Sequence, residues 1–433
     1  MTIDFHQMNN RDPFIYKTAD YGKTWTYLGA GVPKSVFSYC HWVHEDPVRQ
    51  GLLYLGTENA IYVSLNDGKD WIPLQGNLPH APVHHMVVQP AFNDLVVGTY
   101  GRGFWIMDDI TPLQQLTDEV LKTDVHLFSP RPAYRLHRTA GGPWVFSAAT
   151  INYFLKDVPA GDVTITILDE TGREVTSFPG PKDKGINRAV WDLSYPGARQ
   201  AHLRTKPPGN PHLVEEKRYR LQWEREGWYP IESWGSWAGF MGFRAATGKY
   251  TVRLRAGGKE LTRPLQVLKD PRSAGTEADI REQTAMQIEI REDLNSVSDM
   301  INSIEWMKKE TGVLKDAVAS GASHPEVVAA ADEFTKKMQS VEDELFQPVL
   351  AEGDTKSFRS PQKLYMKFSL LAGDLADSVD FAPNKQQREV QAVLREGLKT
   401  QARRFEELVS GDLAAFNKML TDKGFAGIVC PKR

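Results

Sequence analysis

Two stretches of this chain, IYKTADYGKTW starting at Ile15 and IYVSLNDGKDW starting at Ile61, repeat one pattern. Each opens with strand-like apolar residues and reaches a hydroxyl at Thr18 or Ser64. An amide or carboxylate follows at Asp20 or Asn66, then a glycine at Gly22 or Gly68 and a tryptophan at Trp25 or Trp71. Such an order encodes a hairpin. The Asp or Asn oxygen accepts backbone N–H bonds inside the turn, and the glycine takes a positive φ. The tryptophan is then expected to return on the next strand and pack between sheets. A third unit, VVGTYGRGFWIMD (96–108), parallels YLGTENAIYVS (54–64) but lacks the turn pattern. Short strands recurring at this spacing match a four-stranded propeller blade of roughly 40–45 residues.

The turns resemble Asp boxes, the S-x-D-x-G-x-T-W motif of BNR-repeat propellers found in sialidases, some endoglucanases and xyloglucanases, and sortilin-type domains. The first copy matches throughout, whereas the second carries Asn66 for the aspartate and Asp70 for the threonine. The segment EDPVRQGLLYLGTENAIYVSLNDG and the later GTYGRGFWIMDDITPL are similar to the closing blades of bacterial proteins described as sortilin-like or glycosyl hydrolase BNR-repeat. The resemblance implies an exported, periplasmic or extracellular parent that binds a glycan or protein ligand on its propeller face. It also implies that Thr18, Asp20, Gly22, Trp25, Ser64, Asn66, Gly68 and Trp71 are structural, holding blades together.

About two and a half blades fit before residue 115, and a closed ring needs at least four. The expectation is therefore the C-terminal portion of a longer protein, partnered by missing upstream blades or by a second copy of the chain. At 433 residues more than one core is expected. The division reads as last propeller blades over 1–116, a connector over 117–143, an immunoglobulin- or fibronectin-like β-sandwich over 144–272, and an antiparallel helical bundle over 273–433. The fold class is thus multidomain, mainly β and then α. Within the sandwich region INYFLKDVPAGDVTITILDETGREV alternates with period two, and Asp169 to Gly172 make its hairpin turn.

An excursion over 197–246 holds Tyr219, Trp223, Trp228, Tyr229, Trp234, Trp237, Phe240 and Phe243. Flat rings suit sugar faces, yet these aromatics are expected mainly to pack the excursion onto the sandwich or propeller, with Trp234 and Trp237 kept as ligand candidates. From Thr276 the period becomes helical. Thr276 and Asp279 form a capping-box start, and Ile290, Leu294, Val297, Ile301 and Ile304 make the first stripe. A second helix follows Ser323-His324-Pro325, a third opens at Ser360-Pro361, and a fourth begins near residue 385 with Val390, Leu394, Phe405 and Leu408 inward.

Chemistry is less legible. Net charge is −3, so no global field points to nucleic acid. No run approaches the ~18 apolar residues of a membrane span, and MTIDFHQMNNRDPF is not a signal peptide. Glu45, Asp46, Glu58, Asp108 and Asp109 are the available propeller acids, none in a motif that fixes a catalytic role, and turn capping explains Asp108-Asp109. Tyr100 and Arg102 flank Gly101 where face residues would arise, and they are the other ligand candidates. Histidines crowd the start: His6, His41, His44, His80, His84 and His85. Period two sends His41 and His44, and likewise His84 and His85, to opposite faces. No metal site and no cofactor are expected. The preferred reading is a binding module without chemistry of its own. The alternatives are a sialidase- or xyloglucanase-like glycoside hydrolase with carboxylates in upstream blades, and an assembly or docking factor.

Overall fold

The computed structural model describes the chain except for residues 75, 137–146, 208–209, 232–235, 322–323, 349–359, 377–378 and 432–433. It combines small antiparallel sheets with several helices, β elements first and helices later. The chain divides into two compact units, Met1–Asp192 with Gly248–Leu268, and Leu193–Thr247 with Lys269–Arg433. Among the described residues no helix is long and apolar enough to cross a membrane.

The first unit begins with three meanders. Strands β1 (Thr2–Ile3), β2 (Phe14–Lys17) and β3 (Thr26–Tyr27) form the first. Strands β4 (Cys40–Glu45), β5 (Leu53–Thr57), β6 (Ile61–Ser64) and β7 (Ile72–Pro73) form the second, and β8 (Val83–Gln89), β9 (Asp94–Thr99) and β10 (Phe104–Met107) the third. β5 is buried along its whole length. Leu53 and Leu55 join Ile15, Val32, Cys40 and Trp71 on one side, while Leu52 and Tyr54 join Ile61, Val83, Met86 and Leu95 on the other. An uninterrupted apolar run is what a strand packed on both faces requires. The leading strands lie side by side, β4 packing against both β1 and β8.

One glycine sets that spacing. A Cβ on Gly56 would stand 2.6 Å from the Val83 carbonyl oxygen and 2.7 Å from Val83 Cγ1, so only glycine admits β8 this close to β5.

The two repeated turns share their hydrogen bonds. The Gly22 N–H donates to Thr18 Oγ1 at 2.7 Å and the Gly68 N–H to Ser64 Oγ at 2.8 Å, with φ of +89° and +80° at the glycines. Thr24 N–H donates to Asp20 Oδ1 at 2.8 Å, and Asp70 N–H to Asn66 Oδ1 at 3.0 Å. The substituted pair keeps the remaining contact with its polarity reversed. Thr24 Oγ1 donates to Asp20 Oδ2 at 2.7 Å, whereas Asn66 Nδ2 donates to Asp70 Oδ2 at 2.8 Å.

The tryptophans diverge. Trp71 is 6% exposed and donates its indole N–H to the Leu28 carbonyl at 2.8 Å, docking onto the first meander as expected. Trp25 is 46% exposed, and its indole N–H turns back to the Gly22 carbonyl at 3.1 Å. The expectation that Trp25 packs between sheets is therefore corrected. Among the described residues no element covers Trp25 as the first meander covers Trp71. It rims an open hollow of about 380 Å³ with Ile15, Leu28, Val43 and Leu53.

Beyond the meanders, Val125–Leu127, Ala149–Leu155 and Gly185–Trp191 make a three-stranded sheet. Ala133–Arg135, Lys259–Lys269, Gly248–Ala256, Thr164–Leu168 and Glu174–Pro179 make a five-stranded one. Trp191 of the first meets Tyr250 of the second edge to face at 5.2 Å. The predicted turn is present. Gly172 has φ +82° and its N–H reaches the Asp169 carbonyl at 3.0 Å.

In the second unit the four main helices are Glu277–Gly321, Pro325–Leu345, Leu364–Ala376 and Lys385–Glu407. Thr276 and Asp279 cap the first reciprocally, with Asp279 N–H on Thr276 Oγ1 at 3.1 Å and Thr276 N–H on Asp279 Oδ2 at 2.8 Å. The stripes Ile290, Leu294, Val297, Ile301, Ile304 and Val327, Ala331, Phe334, Met338 are buried in one core. Two expectations are corrected: the third helix starts at Leu364 rather than at Ser360-Pro361, and Val390 is exposed. The excursion packs on these helices rather than on a β layer. Ala201, Leu203, Leu213, Tyr219, Tyr229 and Ile231 are part of the same core as Ile301 and Met338.

A buried charge cluster crosses this core. Lys308 Nζ lies 2.6 Å from Glu342 Oε2 and 3.2 Å from Glu305 Oε1, and Glu305 also accepts the Thr205 N–H at 2.8 Å. One cation faces two carboxyl groups. Burial, beyond what Lys308 returns, pushes Glu342 up to about 8.

Two outcomes follow from this packing. Trp71→Ala should cost about 3–5 kcal/mol in urea unfolding followed by circular dichroism, and Trp25→Ala about 1 kcal/mol or less. Equal costs would contradict the assigned docking of Trp71. For the charge cluster, a carboxyl whose folded pKa is raised keeps a proton that the unfolded chain has lost. The wild type should thus lose stability as pH rises between its unfolded value of 4.5 and about 8. Glu342→Gln should remove that decline, and parallel stability profiles for the two proteins would exclude it.

Candidate functional site

Residues beside the first strand of each meander converge. Asp4 follows β1, His41 is the second residue of β4, and His84 is the second residue of β8. Glu58 lies in the β5–β6 turn, its N–H bonded to the Tyr39 carbonyl at 3.2 Å. Tyr100 follows β9, its N–H bonded to the Pro82 carbonyl at 2.9 Å.

Five rings form a row across the three meanders. His6 stacks on Tyr39 at 4.8 Å, and Tyr39 meets His41 edge-on at 5.4 Å. His41 stacks on His84 at 4.3 Å, and His84 on Tyr100 at 5.7 Å. Exposure is lowest at His41, whose side chain is 13% exposed, and greatest at Tyr100, at 74%. Carboxylates flank it. His41 Nε2 lies 2.9 Å from Glu58 Oε2, and His41 Nδ1 lies 3.8 Å from Asp4 Oδ2. His6 Nδ1 is 2.7 Å from Asp4 Oδ1. Burial opposes charge on Asp4, but hydrogen bonds from His6 outweigh it and hold the carboxyl below the usual range. Burial first, then a hydrogen bond to Glu58, pushes the Tyr39 hydroxyl up to about 12, so Tyr39 stays a neutral donor. One ligand atom each from His41, Glu58 and His84 lies within 4.8 Å of the others.

The other acids are committed elsewhere. Asp46 is buried and accepts the Val48 and Arg49 N–H groups at 2.8 and 2.9 Å, the Tyr54 hydroxyl at 3.0 Å and the Gln114 amide at 3.1 Å. Asp109 is buried and accepts from Asn152 Nδ2 at 2.8 Å, while Arg188 donates to the Asp108 carbonyl at 2.7 Å. Asp108-Asp109 thus anchors the last meander to the following sheet. Glu45 accepts the Gly51 N–H at 3.0 Å.

Of the ligand candidates from sequence, Tyr100 ends the ring row. Arg102 is exposed in the neighbouring turn, and its carbonyl accepts the Trp105 indole N–H at 3.0 Å. Trp234 and the Trp237 side chain lie outside the described residues. The described excursion aromatics point inward: Tyr219, Trp228, Tyr229 and Phe243 are buried, and Trp228 stacks on His202 at 3.6 Å.

Asp4, His6, Tyr39 and the His41–His84 contact were not foreseen as a group. Period two correctly separates neighbours on one strand, but it does not speak to neighbours on adjacent strands. A usable signal existed in CHWVHE and VHHMVVQ, whose second residues are both histidine.

The chain matches no protein-family model, and no curated protein matches it. Among solved structures it is similar to trypsin-activated alpha-2-macroglobulin from Escherichia coli, at TM-score 0.16 and 11% identity. That likeness covers 50% of this chain and spans 12% of the other.

Asp46→Ala should destabilise the protein by about 3 kcal/mol or more, because four donors lose their acceptor. Glu58→Gln should cost under about 1 kcal/mol in the same unfolding measurement.

Proposed function

We propose that the chain belongs to an exported Asp-box propeller protein and binds a carbohydrate along the ring row from His6 to Tyr100. In this reading the three meanders are propeller blades, the sheets after residue 117 form an immunoglobulin-like module, and the helices close the chain. The matching hydrogen bonds of the two turns support the family, since both reproduce one Thr/Ser–Asp/Asn–Gly geometry. The observation that carries the ligand class is the ring row with its flanking carboxylates. Tyr100, at the exposed end of the row, offers an outer aromatic face to the C–H face of a sugar, while Glu58 and Asp4 can accept its hydroxyl hydrogens.

Binding without hydrolysis is preferred to a glycosidase. A glycosidase places two carboxyl groups across the scissile bond, whereas Asp4 and Glu58 both engage His41, and Asp46 and Asp109 are tied into the frame. A glycan array probed with the full chain should identify a retained oligosaccharide. Tyr100→Ala should then weaken its binding about tenfold or more, which corresponds to about 1.4 kcal/mol. Failure to retain any glycan, or equal binding by the variant, would overturn the reading.

A further inference from the structure

We infer that His41, Glu58 and His84 form a binding site for one divalent zinc-class cation. The inference draws on residues of the same ring row as the carbohydrate reading, but on their donor atoms and not on their ring faces, and its zinc readout is independent of any glycan. Two imidazoles and one carboxylate are the donor set that zinc takes when one position stays open to water or ligand. The three donors come from β4, the β5–β6 turn and β8, so the packing of two neighbouring meanders brings them together before any ion arrives.

The surrounding groups suit the role. In zinc sites the ligating histidine commonly directs its second nitrogen to a carboxylate, which fixes the ring and raises its basicity. In His41 that second nitrogen, Nδ1, lies 3.8 Å from Asp4 Oδ2, an ion-pair distance rather than a hydrogen bond, while Nε2 faces the co-ligand Glu58 at 2.9 Å. Glu58 is steadied in turn by the Tyr39 hydroxyl. Donors sharing a tetrahedral zinc at 2.0–2.2 Å lie about 3.3 Å apart. The His41–Glu58 pair is close to that already, and the cation would replace the shared proton. His84 has to open from its stacked position, where its plane is tilted 28° to that of His41. The exposed His84 side chain can do so by rotating about its own χ angles.

The test is competition for Zn²⁺ between the full chain and a chromophoric chelator. One equivalent should bind in the micromolar range or tighter. His84→Ala and Glu58→Gln should each weaken it about tenfold or more, while His84→Cys should retain it, because a thiolate also ligates zinc. His80→Ala should bind like the wild type, since His80 lies outside the trio with Nδ1 on the Asn59 carbonyl. Circular dichroism shows whether each variant is folded, and exposed His84 is the position least tied to the core. Absence of saturable Zn²⁺ binding by the wild type, or undiminished binding in folded His84→Ala, would overturn the assignment.

Discussion

Burial of β5 on both faces is the constraint on which the first unit rests. Leu53 and Leu55 close one core and Leu52 and Tyr54 the other, so a single strand ties the first and third meanders to the second. Gly56 then removes the side chain that would hold β8 away. Seated this closely on β5 and beside β4, β8 brings its second residue, His84, onto His41 of β4. The ring row follows from that spacing, with each ring supplied by a different strand or turn.

The repeated turns serve this packing at the opposite job. Their hydrogen bonds satisfy backbone donors locally, which frees Trp71 to present its indole outward to Leu28. The exchange of Asp20–Thr24 for Asn66–Asp70 shows that the turn needs a donor facing an acceptor, not a particular charge. Lys17 adds an ion pair to Asp67 at 2.6 Å, linking the two turns directly.

Elements with strong local signals were legible in the sequence. The paired turns, the Asp169–Gly172 hairpin and the stripes of the first two long helices all reflect residues whose neighbours in sequence are their neighbours in space. Trp25 was misjudged because its burial depends on a covering layer, which no local pattern encodes. Val390 was misjudged because its helix turns a narrower apolar face inward, with Gln387 and Gln391 buried instead. The described excursion aromatics do pack, but their partners lie on helices as far away in sequence as Tyr365, on which Phe240 stacks. The ring row was the least legible feature, since its five rings come from four separate places in the chain.

Gly56 offers the most direct check that strand spacing builds the site. A crystal structure of Gly56→Ala beside the wild type should show β8 moved off β5 and the His41–His84 contact opened from 4.3 Å, with the 64–71 turn unchanged. A variant that keeps β8 in place and the ring row intact would contradict the account.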